Sequence, residues 1–165
     1  NNPTARPARM RIGAALVIAA LAVQIVLGAL VAGIDAGRNY PEWPLMAGAL
    51  VPPGAFELSP IWRNFTENPG LVQFNHRVVG YLLVALGLVA WWRSRSSALG
   101  SIRRAFMGVL HMLLLQVAIG IATVLYAAPL PLAILHQLGA VLLFSLIIRA
   151  RFTAHYPAPE RIARG

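Results

Sequence analysis

Residues 12–34 read IGAALVIAALAVQIVLGALVAGI, an apolar run interrupted by a single amide, Gln24. A bilayer core about 30 Å thick is crossed by about 20 helical residues. The run is therefore long enough to span, and in lipid its backbone can satisfy its own hydrogen bonds only as a helix. Three more runs of this kind follow at residues 71–92, 105–128 and 131–148, each with a few polar interruptions. The whole chain agrees, being 58% hydrophobic and 12% charged with a mean hydropathy of +0.67, where soluble domains are about 45–50% apolar. The expected fold is an all-α membrane protein, a four-transmembrane-helix bundle made of two antiparallel hairpins.

The charges orient it. All fourteen basic residues are arginine, and the net charge is +9. Arg6, Arg9 and Arg11 precede the first run; Arg93, Arg95, Arg103 and Arg104 separate the second from the third; Arg149, Arg151, Arg161 and Arg164 follow the fourth. By the positive-inside rule these three clusters face the cytoplasm, so the N- and C-termini are expected to be cytoplasmic. The opposite side holds Arg38, Arg63 and Arg77 against Asp35, Glu42, Glu57 and Glu67. The basic balance thus reads as topology and contact with the lipid bilayer, with no nucleic acid as partner. The domains expected are a basic N-terminal segment at residues 1–11, a membrane domain at 12–148 with an extracytoplasmic loop at 35–70, and a basic tail at 149–165. No cysteine is present, which excludes disulfides, thiolate-bound zinc and iron–sulfur clusters. The chain opens on Asn1 and runs into the first span without a small-residue cleavage site, so a longer protein is expected.

A weak internal repeat marks the hairpins. Val23-Gln24-Ile25-Val26-Leu27-Gly28 is similar to Leu115-Gln116-Val117-Ala118-Ile119-Gly120. Gln24 and Gln116 fall near mid-span, where an amide either bonds to a neighbouring helix or serves a bound group. The connection after the third span is very short. The one after the first is long, with Tyr40, Trp43, Phe56, Trp62 and Phe65, and reads either as a lid or as an aromatic belt at the headgroups.

His76 and His136 are each the sixth residue of an inward-running span, which puts both imidazoles at one depth, about one and a half turns below the outer surface. Spans two and four are diagonal or adjacent in a four-helix bundle. Ionisable residues within spans usually face a cavity or cofactor, and neutral imidazole is a usual ligand of haem iron. The matched depth points to bis-His haem, against the alternative of two hydrogen-bonded interior histidines. Gly80 and Gly139 follow the histidines on their own faces and leave room either for porphyrin edges or for close helix packing. Arg77 pairs either with haem propionates or with lipid headgroups. Gln73 opens the second span as a cap or as a contact to the imidazole. His111 reads as structural and His155 as solvated in the basic tail.

Val31-Ala32-Gly33-Ile34-Asp35-Ala36-Gly37, Trp43-Pro44-Leu45-Met46, Asn64-Phe65-Thr66-Glu67-Asn68, Val72-Gln73-Phe74-Asn75-His76-Arg77 and Leu135-His136-Gln137 together resemble the C-terminal half of the heme A synthase family. The resemblance implies a two-half oxidoreductase of the bacterial inner membrane that acts in cytochrome oxidase assembly. One half oxidises the C8 methyl of haem o to the formyl of haem a; the half resembled here holds haem b between His76 and His136. The catalytic half of that family carries a glutamate three residues before its ligand, where this chain has Gln73, and an amide cannot act as a base. The isolated chain is thus expected to be catalytically incomplete, with Glu67 as the loop residue to consider for catalysis, either orienting the lid or capping the second span. Partners implied are the N-terminal catalytic half or a further copy, haem o synthase and an electron donor. Two other classes stay open: a stand-alone four-helix b-type cytochrome carrying electrons, and a non-redox assembly factor with structural histidines.

Overall fold

The computed structural model describes residues 5–156. The expectations for Arg161 and Arg164 lie outside them, as do those for the side chains of Arg6 and Arg9. Among the described residues five α-helices occur: α1 Ala5–Gly33, α2 Asn64–Glu67, α3 Pro69–Ser94, α4 Gly100–Leu125 and α5 Leu130–His155. No strand is present among the described residues. All but α2 are long and apolar enough to cross a membrane, and the chain is an all-helical, multi-pass membrane protein.

The four long helices close a ring: α1 packs on α3, α3 on α4, α4 on α5, and α5 back on α1. Spans two and four, α3 and α5, are therefore diagonal. The stripe that faces the interior is written twice. In α1 it is Met10, Ala14, Val17, Leu21, Gln24 and Gly28, with steps alternating between four and three residues, the period that keeps one helical face turned toward a partner. In α4 it is Ile102, Phe106, Val109, Leu113, Gln116 and Gly120, each 92 positions later. Along α3 and α5 the correspondence is His76 with His136, Leu83 with Leu143, Gly87 with Ile147, Ala90 with Ala150 and Ser94 with Ala154, each 60 positions apart. The two hairpins are thus repeats facing each other across the bundle, and an approximate twofold along its axis exchanges α1 with α4 and α3 with α5.

The apolar stations of this stripe fill the end of the bundle remote from the long loop, with Val17, Leu21, Phe106, Leu113, Leu143 and Ile147 among its buried residues. Leu113 seats on Gly87, where a Cβ would collide with it. The polar stations, the two glutamines and the two histidines, come together at the loop end.

Helix ends follow local chemistry more than apolarity. The Asn68 side chain accepts from the Leu71 amide at 3.1 Å and Pro69 takes the first helical position, so α3 has its own cap. Glu67, the alternative expected there, is not the cap. The third span ends at Leu125 although the apolar run continues to residue 128. Ala127 and Ala128 take left-handed φ of 55° and 51°, and the Ala128 amide closes the helix by donating to Thr123 O at 2.7 Å. At the other end α5 continues to residue 155, because Ala150 and Ala154 prolong its buried stripe. The first part of the expected tail is consequently helix, and His155 is exposed at its end as expected, its Nδ1 within 2.9 Å of Arg11 Nη1, which ties α5 to α1.

The long loop is organised rather than slack. Buried Asn64 donates to Leu58 O and Ile61 O, both at 2.9 Å, and Asn68 donates to Gly54 O at 2.7 Å. Trp43, Phe56, Trp62 and Phe65 are exposed, Trp43 donating its indole N–H to the Tyr81 hydroxyl at 3.1 Å and Phe56 and Phe65 meeting edge to face at 6.3 Å.

Candidate functional site

Each hairpin delivers one histidine to the bundle axis. The rings of His76 and His136 have centres 6.3 Å apart and planes inclined at 80°. Each lies against a glycine of its own hairpin partner: a Cβ at Gly28 would stand 3.1 Å from His76 Cε1, and one at Gly120 would stand 2.8 Å from His136 Cε1. A methyl group at Gly120 would collide with its ring, and one at Gly28 would force its ring to give by a few tenths of an ångström.

One helical turn before each glycine stands the glutamine of the repeat. Gln24 Nε2 donates to the His76 carbonyl at 2.9 Å, and Gln116 Nε2 donates to the His136 carbonyl at 2.5 Å. Gln24 Nε2 also lies 3.3 Å from His76 Nε2. These are interhelical bonds, one of the two roles the sequence left open for the amides. Gly80 and Gly139 face the glutamines, not a space beside the rings: a Cβ at Gly80 would stand 3.2 Å from Gln24 Nε2, and one at Gly139 would strike Gln116 Oε1. Gly28 and Gly120 are the glycines that border the imidazoles. Sequence reasoning missed them, although the signal was there in the repeated Gln-x-x-x-Gly, which puts an amide and a bare backbone on one face a turn apart.

Four buried polar atoms in this cradle have no partner: Nδ1 of both histidines and Oε1 of both glutamines. Buried polar groups are as a rule hydrogen-bonded, so a matched set of orphans on the bundle axis marks a place shaped for something other than apolar packing. Among the described residues no group of three or more histidines, cysteines or carboxylates gathers. The donor set on the axis is two imidazoles from diagonal helices.

The remaining candidates lie elsewhere. Arg77 anchors the loop: Nη2 donates to Tyr40 O at 3.0 Å and Glu42 O at 2.9 Å, Nη1 to Leu45 O at 3.2 Å and Pro44 O at 3.4 Å. Gln73, 2% exposed, accepts from Arg77 Nη2 at 3.2 Å and donates to Gly37 O at 3.4 Å. Glu67 is exposed and paired with Arg63, whose Nε donates to it at 3.0 and 3.1 Å; this guanidinium holds the carboxyl below the usual carboxylate range. His111 is exposed on the outer face of α4 instead of serving the interior.

A family model described as Cytochrome oxidase assembly protein, COX15-CtaA, matches residues 1–148. The chain is 63% identical over 140 residues to the Heme A synthase of Ruegeria pomeroyi, covering 85% of this chain and 37% of that protein. It is 61% identical over 145 residues to the Heme A synthase of Dinoroseobacter shibae, covering 88% of this chain and 38% of that one. With the Heme A synthase of Paracoccus denitrificans it shares 55% over 135 residues, 82% and 35% respectively. The chain therefore spans well under half the length of the curated relatives it matches. No solved structure matches it. With the family match covering nine-tenths of its length and identities to these relatives above one half, the chain belongs to the COX15-CtaA family of cytochrome oxidase assembly proteins.

Proposed function

We propose that this chain is the haem b-binding, electron-transfer half of heme A synthase, with His76 and His136 as the axial ligands of one haem iron. The observation that carries the reading is the spacing of the two rings. An imidazole nitrogen bonds a metal at about 2 Å, and a five-membered ring of bonds about 1.3 Å long has its centre about 1 Å behind that nitrogen. Two imidazoles on one metal thus have centres about 6 Å apart, and the separation here is 6.3 Å. The orphaned Nδ1 atoms and the bare backbone at Gly28 and Gly120 fit the same reading. His76 and His136 would hold the haem, which would supply a one-electron redox centre with no position left for oxygen.

The chain's own residues hold and orient. Gln24 and Gln116 fix the backbones of the ligand residues, and Arg77 ties the loop over the end of α3. Gln73, bonded to Arg77 and Gly37 O, has no basic oxygen to offer a reacting group. Oxidation of the haem o methyl to the formyl of haem a is accordingly assigned to a companion half, supplied by the rest of a longer chain or by a separate subunit. The setting proposed is the bacterial inner membrane, with the arginine clusters and both termini cytoplasmic. Haem o synthase and an electron donor are the further partners of this reading.

Visible spectroscopy of the chain in detergent tests it. One low-spin haem per chain is expected, lost in His76→Ala and in His136→Ala; a chain that takes up no haem, or keeps its spectrum in either variant, overturns the assignment. Co-expression with a companion half and extraction of the pigments then separates the enzyme from a free-standing carrier. Haem a should appear only when both parts are present, and its absence under every pairing marks a b-type electron carrier.

A further inference from the structure

The two imidazole planes stand at 80° to each other, and the source of that angle can be traced. The last torsion of a histidine side chain is broad and roughly twofold, so a ring takes a defined plane only when a surface imposes one. Here that surface is the backbone of a glycine. The His76 ring edge lies on Gly28 and the His136 ring edge on Gly120, with Cε1 so near that a methyl group at Gly120 would enter the ring's own space and one at Gly28 would make the ring give by a few tenths of an ångström. The glutamine one turn earlier holds the histidine's carbonyl, which fixes where the ring starts from. The same Gln-x-x-x-Gly device operates once in each hairpin, and the approximate twofold sets the two rings crosswise.

We infer that Gly28 and Gly120 are positioning residues that hold the imidazole planes near perpendicular and thereby set the electronic character of the iron between them. The inference rests on the haem reading above and deepens it. Imidazole planes that cross at a ferric low-spin iron donate into different d orbitals and leave these nearly degenerate, whereas parallel planes split them. Crossed rings therefore give a strongly anisotropic electron paramagnetic resonance signal, and rotating one ring toward the other moves its low-field feature toward the position of parallel-ring complexes.

The test uses the full chain in detergent, loaded with iron protoporphyrin IX, in the parent and in Gly28→Ala, Gly120→Ala and Gly108→Ala. Gly108 is a control, since a Cβ there meets nothing within 4 Å. Absorption reports how much haem is bound and whether it is low-spin; paramagnetic resonance reports the ring angle. The parent should give the strongly anisotropic signal. Both site variants should keep low-spin absorption while the low-field feature shifts, further for Gly120→Ala than for Gly28→Ala, and Gly108→Ala should match the parent. Bound haem with an unmoved feature in both site variants overturns the inference, as does an equal shift in the control. If Gly120→Ala no longer takes up haem, Gly28→Ala decides alone, because at 3.1 Å its ring has only a few tenths of an ångström to yield. A parent chain that takes up no haem overturns the reading of function itself, which separates the two failures.

Discussion

Gln24 and Gln116 occupy equivalent stations 92 residues apart, and each donates its amide to the carbonyl of the histidine on its partner helix. Those carbonyls lie within helices and keep their own backbone partners, so removing an amide leaves no orphaned acceptor. The loss should therefore stay at the ordinary value of an interhelical hydrogen bond in a membrane, about 1 kcal/mol for Gln24→Leu or for Gln116→Leu. The two share no partner, and the double variant should show nearly the sum, about 2 kcal/mol. Reversible unfolding in mixed detergent measures this. Variants as stable as the parent would show that the amides do not hold the hairpins.

Arg77 should not tolerate lysine. Its two terminal nitrogens reach four loop carbonyls and the Gln73 amide oxygen in a fan, which the fork of a guanidinium permits and a single ammonium does not. Hydrogen bonds to a charged group contribute about 1.5–3 kcal/mol each, though several on one cation add less than their sum. Arg77→Lys should leave the helices folded while amide exchange across residues 40–46 rises at least tenfold, about 1.4 kcal/mol of local stability. Unchanged exchange there would mean that the loop is held by its asparagines alone.

The bilayer made the four spans legible, because lipid demands about 20 apolar helical residues and the chain repeats that run four times. The histidine pair was legible for a related reason: position along two spans of the same direction converts directly into depth. Where spans begin and end was less so, since Ala127 and Ala128 are apolar yet left-handed, and only backbone torsion ends α4. The glycine assignment turned on helix rotation. Gly80 and Gly28 both lie near His76 in any hairpin, and which of them touches the ring depends on how α1 is rolled against α3. Arg77 was opaque because the four carbonyls it binds lie more than thirty positions away in the loop.

Leu113 and Gly87 offer a test of the apolar end that does not involve the histidines. The leucine fills the space that a side chain at residue 87 would need. Gly87→Ala should cost about 1–3 kcal/mol by overpacking, and Leu113→Ala about 2–5 kcal/mol by opening a cavity. Combined, the new methyl group occupies part of that cavity, and the double variant should be at least about 0.5 kcal/mol more stable than the sum of the single losses. Strict additivity would mean that the two helices do not meet at this point.

Glu67 should matter to the loop and not to the haem reading. Its carboxylate is exposed, bonded to Arg63 and held below the usual carboxylate range by that guanidinium. A carboxyl whose pKa is lowered on folding stabilises above its ordinary range, and the contribution fades as pH falls through the lowered value. The parent should thus hold a small advantage in thermal midpoint over Glu67→Gln at neutral pH. That advantage should vanish on acidification past the lowered carboxyl, and salt should shrink it as well, because exposed pairs are screened. Haem uptake should be the same in both. A folded Glu67→Gln that no longer takes up haem at neutral pH would place this carboxylate in the site after all, and would require the loop to fold inward over the histidines.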